Sequence, residues 1–257
     1  MHPIFFKIGN VAVYTYGFFV AMGFVIGIQL AKKEARRLGR NPEQITDLCF
    51  CVLIAAIVGS RLMYVGINYE MFLKSPLEIV KIWNGGLVFY GGFIAAVFIA
   101  LYYLKRCQLP IWKTADILAP SLAIGHSVGR VGCFFAGCCY GKTCDLPWAV
   151  TFTHPESLAP TGLPLHPTQL YSSLGNLAIF FVLWSLRRRK SFDGRLFWLY
   201  VLMYALMRSM VEMFRGDFRG TVLFDLLSIS QGIGLVMGIV SIGMMVFLRN
   251  RERKRNP

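Results

Sequence analysis

Apolar runs long enough to cross a bilayer follow one another along almost the whole chain, at about 11–31, 47–67, 87–104, 114–137, 167–186, 196–214 and 224–248. A helix needs roughly 20 such residues to span hydrocarbon, and in lipid its backbone N–H and C=O groups must be satisfied within the segment. The expected fold is therefore an all-α polytopic membrane protein of about seven transmembrane helices with a small extracytoplasmic head. Composition agrees: the 257 residues are 56% hydrophobic and 16% charged, with mean hydropathy +0.55. That is too apolar for a soluble domain of this size.

A net charge of +14 raises the question of nucleic acid, and the position of the charges answers it. The basic residues gather in four clusters: Lys32, Lys33, Arg36, Arg37 and Arg40; Lys105, Arg106 and Lys113; Arg187 to Lys190 with Arg195; and Arg249 to Arg255. Each lies between apolar runs or in the tail, as cytoplasmic loops do under the positive-inside rule. No nucleic-acid partner is expected. With the clusters inside, the amino end is outside and the carboxyl end cytoplasmic. The amino end lacks a basic n-region and a small-residue cleavage pattern, so the first run reads as a retained span.

The chain reads as a single integral membrane domain over 1–257. Segment 68–86 places Met71, Phe72, Ile79, Ile82 and Trp83 among mixed charges, as an interfacial arm would. Segment 138–166 carries four prolines and a strand-like WAVTFT at 148–153, and is the expected head. The connection 215–223 is the third outward-facing piece.

Several spans carry polar groups at one depth. Arg61, Arg130 and Arg208 all fall in the outer halves of their helices, and Tyr16, Tyr90, His166, Gln169 and Asp225 fall near the same level. Inserting an arginine into hydrocarbon costs roughly 3 kcal/mol, so each needs a partner. His126 and Arg130 are four residues apart and share a face, as do Arg208, Glu212 and Arg215. Glycines at 125, 129 and 132 let a backbone or a ligand approach the Arg130 helix. If Glu212 pairs with Arg208, Arg130 and Arg61 are left short of anions. An opposite charge at about 4 Å is worth roughly 4 kcal/mol at an effective dielectric near 20. A phospholipid phosphate, which suits the planar guanidinium fork, would supply it. The competing reading has these arginines bonding carbonyls and tying helices together.

The segment GRVGCFFAGCCYG at 129–141 resembles the signature of the bacterial phosphatidylglycerol–prolipoprotein diacylglyceryl transferases. YTYG at 14–17, GSRLMYV at 59–65, NGGLVFYGG at 84–92, HPTQLY at 166–171 and RSMVEMFR at 208–215 agree with that family in order. The resemblance implies an enzyme of the bacterial inner membrane that moves the diacylglyceryl group of phosphatidylglycerol onto the lipobox cysteine of a prolipoprotein. A thioether forms, glycerol 1-phosphate leaves, and no cofactor is needed. It also implies that Arg130 and Arg208 serve the headgroup and catalysis, and that Glu212, Tyr16 and Gly141 match family positions.

Departures from the family pattern fall at Cys133 in place of Asn, Cys138 in place of Glu, Tyr90 where many members have His, and Ser172 where Glu often follows. A tyrosine with a reference pKa near 10 is a poor base at neutral pH. His126, on the Arg130 face, either fills that role or is a packing histidine. The site set expected is then Arg130, Arg208, His126 and Tyr90 for catalysis, with Arg61, Tyr16, Glu212, Gln169, Gly141 and Cys133 for substrate binding. The spacing of Cys133, Cys138, Cys139 and Cys144 matches a zinc site only weakly, and no metal is expected. It allows one bridge from Cys144 to Cys138 or Cys139. The rivals are a lipid-binding or transport protein without activity and a membrane thiol oxidoreductase, for which the C-x-x-C pair is missing.

Overall fold

The computed structural model describes residues 2–8, 11–189, 191–216, 221–222 and 227–255. Among them the long helices are α1 (Thr15–Arg37), α2 (Pro42–Ile67), α4 (Phe89–Arg106), α5 (Ile111–Ala136), α6 (Thr168–Leu186), α7 (Arg195–Glu212) and α8 (Ile229–Arg255), with a short α3 (Tyr69–Lys74). Each long helix coincides with one expected apolar run. Helices α1, α2, α5, α6 and α8 are long and apolar enough to cross a membrane. Helix α4 has 18 residues and ends on Lys105 and Arg106, and α7 carries Arg195, Arg208 and Glu212.

Two features of the helix ends differ from the expectation. Residues 11–14 belong to an antiparallel hairpin, β1 (Ile4–Ile8) with β2 (Val11–Tyr14), and α1 begins only at Thr15. Thr15 anchors that start by donating from Oγ1 to the His2 carbonyl at 2.6 Å. The basic clusters are largely helix ends and not loops: Lys32 to Arg37 complete α1, Lys105 and Arg106 complete α4, and Arg249 to Arg255 complete α8. Cations there complement the carboxyl-terminal end of the helix dipole.

By internal contacts the chain divides into two units, 31–114 and the remainder (1–30 with 115–257). In the first, α2 and α4 meet through glycines: a Cβ at Gly59 would lie 2.6 Å from the Gly91 carbonyl. In the second, α1 and α5 approach the same way, and a Cβ at Gly23 would lie 2.7 Å from the Gly125 carbonyl. Close backbone approach of this kind is the usual device of membrane helices, where apolar burial alone gives little drive to associate. Helices α5 and α6 are joined by Ser127 and Ser173, which exchange hydroxyl-to-carbonyl bonds of 2.8 and 2.9 Å.

Asp116 of α5 closes the far end of this unit. It is buried, and its two carboxylate oxygens accept the backbone N–H groups of Gly194 (2.9 Å) and Phe197 (3.0 Å), capping α7 from 78 residues away. Removing the carboxylate orphans two backbone donors, one buried and one part-buried, each worth up to roughly 1–3 kcal/mol. Asp116→Ala is expected to lower the thermal midpoint of the detergent-solubilised protein by at least about 4 °C, with Asp116→Asn losing less.

Segment 138–166 has its own small core of Phe152, Ala159 and Leu165, against which Phe134, Tyr140 and Val150 pack. Its strands are shorter than the expected 148–153: only β3 (Val150–Thr151) pairs with β4 (Pro164–Leu165). A third pair, β5 (Thr221–Val222) with β6 (Leu227–Ser228), precedes α8. Asp225 lies outside the described residues.

Candidate functional site

Helix α5 delivers His126, Arg130 and Cys133 to one face and then stops abruptly. Gly137 takes a left-handed conformation (φ 76°), and a Cβ there would lie 2.1 Å from the Ser157 hydroxyl oxygen. The chain reverses over the last helical turn, with Cys139 also left-handed at φ 60°, uncommon for a residue with a side chain. Two side chains from the start of α6 pin this reversal. Thr168 Oγ1 donates to the Cys139 carbonyl at 2.7 Å and Gln169 Nε2 to the Cys138 carbonyl at 2.8 Å.

The reversal and α1 enclose a cavity of about 380 Å³ lined by Tyr16, His126, Arg130, Cys133, Cys138 and Cys139, with Val20, Gly125 and Gly129. That volume is in the range of small-ligand sites. Arg130 is the cation in its wall, and it forms no ion pair or hydrogen bond among the described residues. The His126 ring lies 5.1 Å from the Tyr204 ring, and both Arg130 and Arg208 are within electrostatic reach of that imidazole. A second, largely apolar cavity of about 430 Å³ shares Tyr16 and Cys138 with the first.

Arg208 differs from Arg130 in being paired. Its Nη1 donates to Glu212 Oε2 and its Nη2 to Ser230 Oγ at 3.1 Å. Glu212 also stands 3.7 Å from Arg215, so one carboxylate serves two guanidinium groups, one on α7 and one just past its end. The i, i+4 pairing expected from sequence is therefore present, and it leaves Arg130 as the unpaired arginine of the group.

Arg61 and Tyr90 belong to the other unit, 31–114. The substrate contact expected of Arg61 gives way to a structural role. Its five N–H groups are all committed to carbonyls: Nε to Ile79 (2.9 Å), Nη1 to Gly85 (2.6 Å) and Gly86 (3.1 Å), Nη2 to Glu78 (2.5 Å) and Lys81 (3.3 Å). A guanidinium has five such donors, so none remains for a ligand. Gly85 and Gly86 both adopt positive φ to present those carbonyls, and a Cβ at Gly86 would meet the Tyr64 ring at 2.4 Å. The Asn-Gly-Gly motif at 84–86 is thus a cradle for Arg61. Tyr90 is 56% exposed in the first turn of α4, with its ring against Phe89.

Two further residues hold the site and do not line it. Gln169 is 1% exposed; one N–H of its amide goes to the reversal, and its Oε1 has no hydrogen-bond partner among the described residues. Gly141 sits where three strands of chain meet. Its N–H donates to the His166 carbonyl (3.0 Å), it bridges to Arg215, and a Cβ there would lie 2.6 Å from the His166 oxygen and 2.8 Å from the Phe214 oxygen. The signature thus ends on a glycine because no side chain fits between His166 and the carboxyl end of the Arg208 stripe.

All seven cysteines are unbridged. Cys144, expected near Cys138 or Cys139, is carried off by the 164–165 strand, its N–H donating to the Pro164 carbonyl at 3.1 Å. Among the described residues no group of cysteine, histidine and acidic side chains could hold a metal ion. The thiols of Cys133, Cys138 and Cys139 are mutually hydrogen-bonded instead. Cys139 is held well below the ordinary thiol range by those bonds and then by the charges of Arg130 and Arg215. Cys138 is pushed up by the same bonds and by burial. What sequence reasoning missed is Cys139 as a wall of the cavity and Tyr204 as the neighbour of His126. Only a positive φ at a non-glycine residue reveals the first, and no spacing rule links α5 to α7 for the second.

Residues 3–247 match the family model for prolipoprotein diacylglyceryl transferase. A protein of Clostridium tetani named phosphatidylglycerol–prolipoprotein diacylglyceryl transferase is 38% identical over 256 residues, covering 99% of this chain and 100% of the relative. Proteins of the same name from Vibrio cholerae (34% identical, 97% and 92% covered) and Geobacter sulfurreducens (30% identical, 97% and 96% covered) match along nearly their whole lengths. With the signature arginine in the wall of a cavity of ligand size and the likeness running end to end, the chain belongs to the prolipoprotein diacylglyceryl transferase family.

Proposed function

We propose that this transferase takes the diacylglyceryl group from phosphatidylglycerol and places it on the lipobox cysteine of a prolipoprotein, with Arg130 receiving the lipid phosphate. The observation that carries the reading is Arg130 itself: a guanidinium lining a cavity of about 380 Å³, with no carboxylate or hydrogen-bond acceptor of its own among the described residues. A lone arginine in a membrane helix is costly unless an anion comes to it, and the donor's phosphodiester is that anion.

The reaction then runs as follows. The sulfur of the incoming cysteine attacks the glycerol carbon that bears the phosphate, the carbon–oxygen bond breaks, and its electron pair leaves on glycerol 1-phosphate. A carbon–sulfur thioether remains. Negative charge grows on the departing phosphate, and Arg130 stabilises it, with Arg208 reinforcing the field from the Glu212 stripe. A cation beside the incoming sulfur also favours its thiolate. His126, the imidazole in the cavity wall, takes the thiol proton. The site faces the outer side of the bacterial inner membrane, the segment at 68–86 is an interfacial arm, and 138–166 is a small head on that side.

The test uses purified protein in phosphatidylglycerol vesicles with a lipobox signal peptide. Peptide carrying a thioether-linked diacylglyceryl group, together with free glycerol phosphate, is the expected result. Phosphatidylglycerol binding with an unmodified peptide would instead mark a lipid-binding protein. In the same assay His126→Asn is expected to lower turnover about 100-fold with phosphatidylglycerol binding unchanged, the signature of a lost proton acceptor.

A further inference from the structure

The thiol cluster in the cavity wall is not used by the reaction. Cys133 occupies the last turn of α5, and the left-handed turn at Gly137 folds Cys138 and Cys139 back over it, so that all three thiols line the cavity that holds Arg130. The Cys138 sulfur is turned to the backbone, 3.7 Å from the Cys133 carbonyl. Cys138 and Cys139 are adjacent, and a bond between neighbours strains the ring that closes. Cys139 and Cys133 are the pair left to meet across the reversal.

We propose that Cys133 and Cys139 form a covalent modification site for disulfide oxidants, and that the bridge between them closes the headgroup cavity at Arg130. The inference of closure rests on the functional reading above; the bridge itself does not.

The chemistry needs a small-molecule or protein disulfide as oxidant. The Cys139 thiolate attacks one sulfur of that disulfide, forming a mixed disulfide and expelling one thiolate. Cys133 gives up its proton to solvent and attacks the Cys139 sulfur, expelling the second. Two cysteines are oxidised, one external disulfide is reduced to two thiols, and a new S–S bond spans the last turn of α5. Cys139 is the attacking sulfur, because the hydrogen bonds from Cys133 and Cys138, and then the charges of Arg130 and Arg215, favour its thiolate. The bridge draws the reversal against the helix beside Arg130 and takes from the cavity the space a phosphate and its glycerol need.

Oxidised glutathione is the probe, applied to the purified protein in detergent. Because Arg130 and Lys142 flank the cluster, trypsin releases Cys133, Cys138 and Cys139 on one peptide, residues 131–142. The expected result is that peptide lacking two hydrogens, with only Cys138 open to alkylation, and a fall of at least about tenfold in transfer that dithiothreitol reverses. Each variant is compared with its own reduced form: Cys139→Ser should show an oxidised-to-reduced ratio near one, and Cys133→Ser, which lacks the resolving thiol, should stop at the mixed disulfide and carry glutathione on the 131–142 peptide. A peptide in which Cys133 and Cys139 both remain alkylatable overturns the modification site, as does a bond to Cys138 or Cys144. A bridge that leaves transfer unchanged overturns the closure. If the reduced protein has no transferase activity, the functional reading fails on its own, and retention of phosphatidylglycerol before and after oxidation, read by native mass spectrometry, decides closure.

Discussion

Arg130→Gln membranes are expected to transfer diacylglyceryl groups at least 100-fold more slowly than wild type, while the protein inserts and melts normally. Removing a single charge-stabilising donor from an enzyme site costs on the order of 100- to 1,000-fold in turnover. Arg130 should sit at the high end, because Arg208 is already paired with Glu212 and cannot fully replace it. Stability should be spared for the same structural reason. Arg130 makes no hydrogen bond or ion pair among the described residues, so glutamine orphans nothing. Arg130→Lys keeps the charge and loses the fork, and should recover part of the rate. The check is turnover in isolated membranes, normalised to protein amount.

Arg61→Ala should do the opposite: damage the fold of its unit first and activity only as a consequence. Five carbonyls, from Glu78, Ile79, Lys81, Gly85 and Gly86, lose their donors together, and the cation stacked on the Tyr64 and Phe72 rings at 5.6 and 5.4 Å is gone. A buried hydrogen bond to a charged group is worth roughly 1.5–3 kcal/mol, so even partial replacement by water leaves a loss of several kcal/mol concentrated on residues 78–86. Limited proteolysis is expected to cut that segment in Arg61→Ala and to spare it in wild type. Arg61→Lys, with three donors for five acceptors, should be almost as susceptible. Equal resistance in all three proteins would contradict the cradle.

These two arginines mark how far the sequence could be read. The positions of the long helices and the pairing of Arg208 with Glu212 follow from hydropathy and helical periodicity, because apolar runs and the 3.6-residue repeat act locally. Arg61 and Arg130 look alike on those criteria: both are single arginines in the outer half of an apolar run. What separates them is whether a loop returns to supply carbonyls. For Arg61 the clue was present in Asn84-Gly85-Gly86, whose consecutive positive φ values turn two carbonyls inward, but it becomes a partner only when residues 78–86 close on α2. That Gly141 and Gln169 hold the chain reversal is hidden in the sequence for a related reason. Their partners, His166, Phe214 and the Cys138 carbonyl, are distant in sequence, and no periodic rule brings them near. The amino-terminal hairpin was hidden because its second strand, VAVY, runs without a break into the apolar stretch of α1.

Retention of phosphatidylglycerol by the purified protein, measured by native mass spectrometry for wild type and Arg130→Gln at matched detergent concentration, bears most directly on the proposed role of Arg130. Wild type should hold the lipid, and Arg130→Gln should bind it at least about tenfold more weakly, the loss of about 1.4 kcal/mol or more expected for a charge-assisted contact to phosphate. Undiminished binding by Arg130→Gln would mean that the phosphate rests elsewhere and that the cavity at the end of α5 is not the headgroup site.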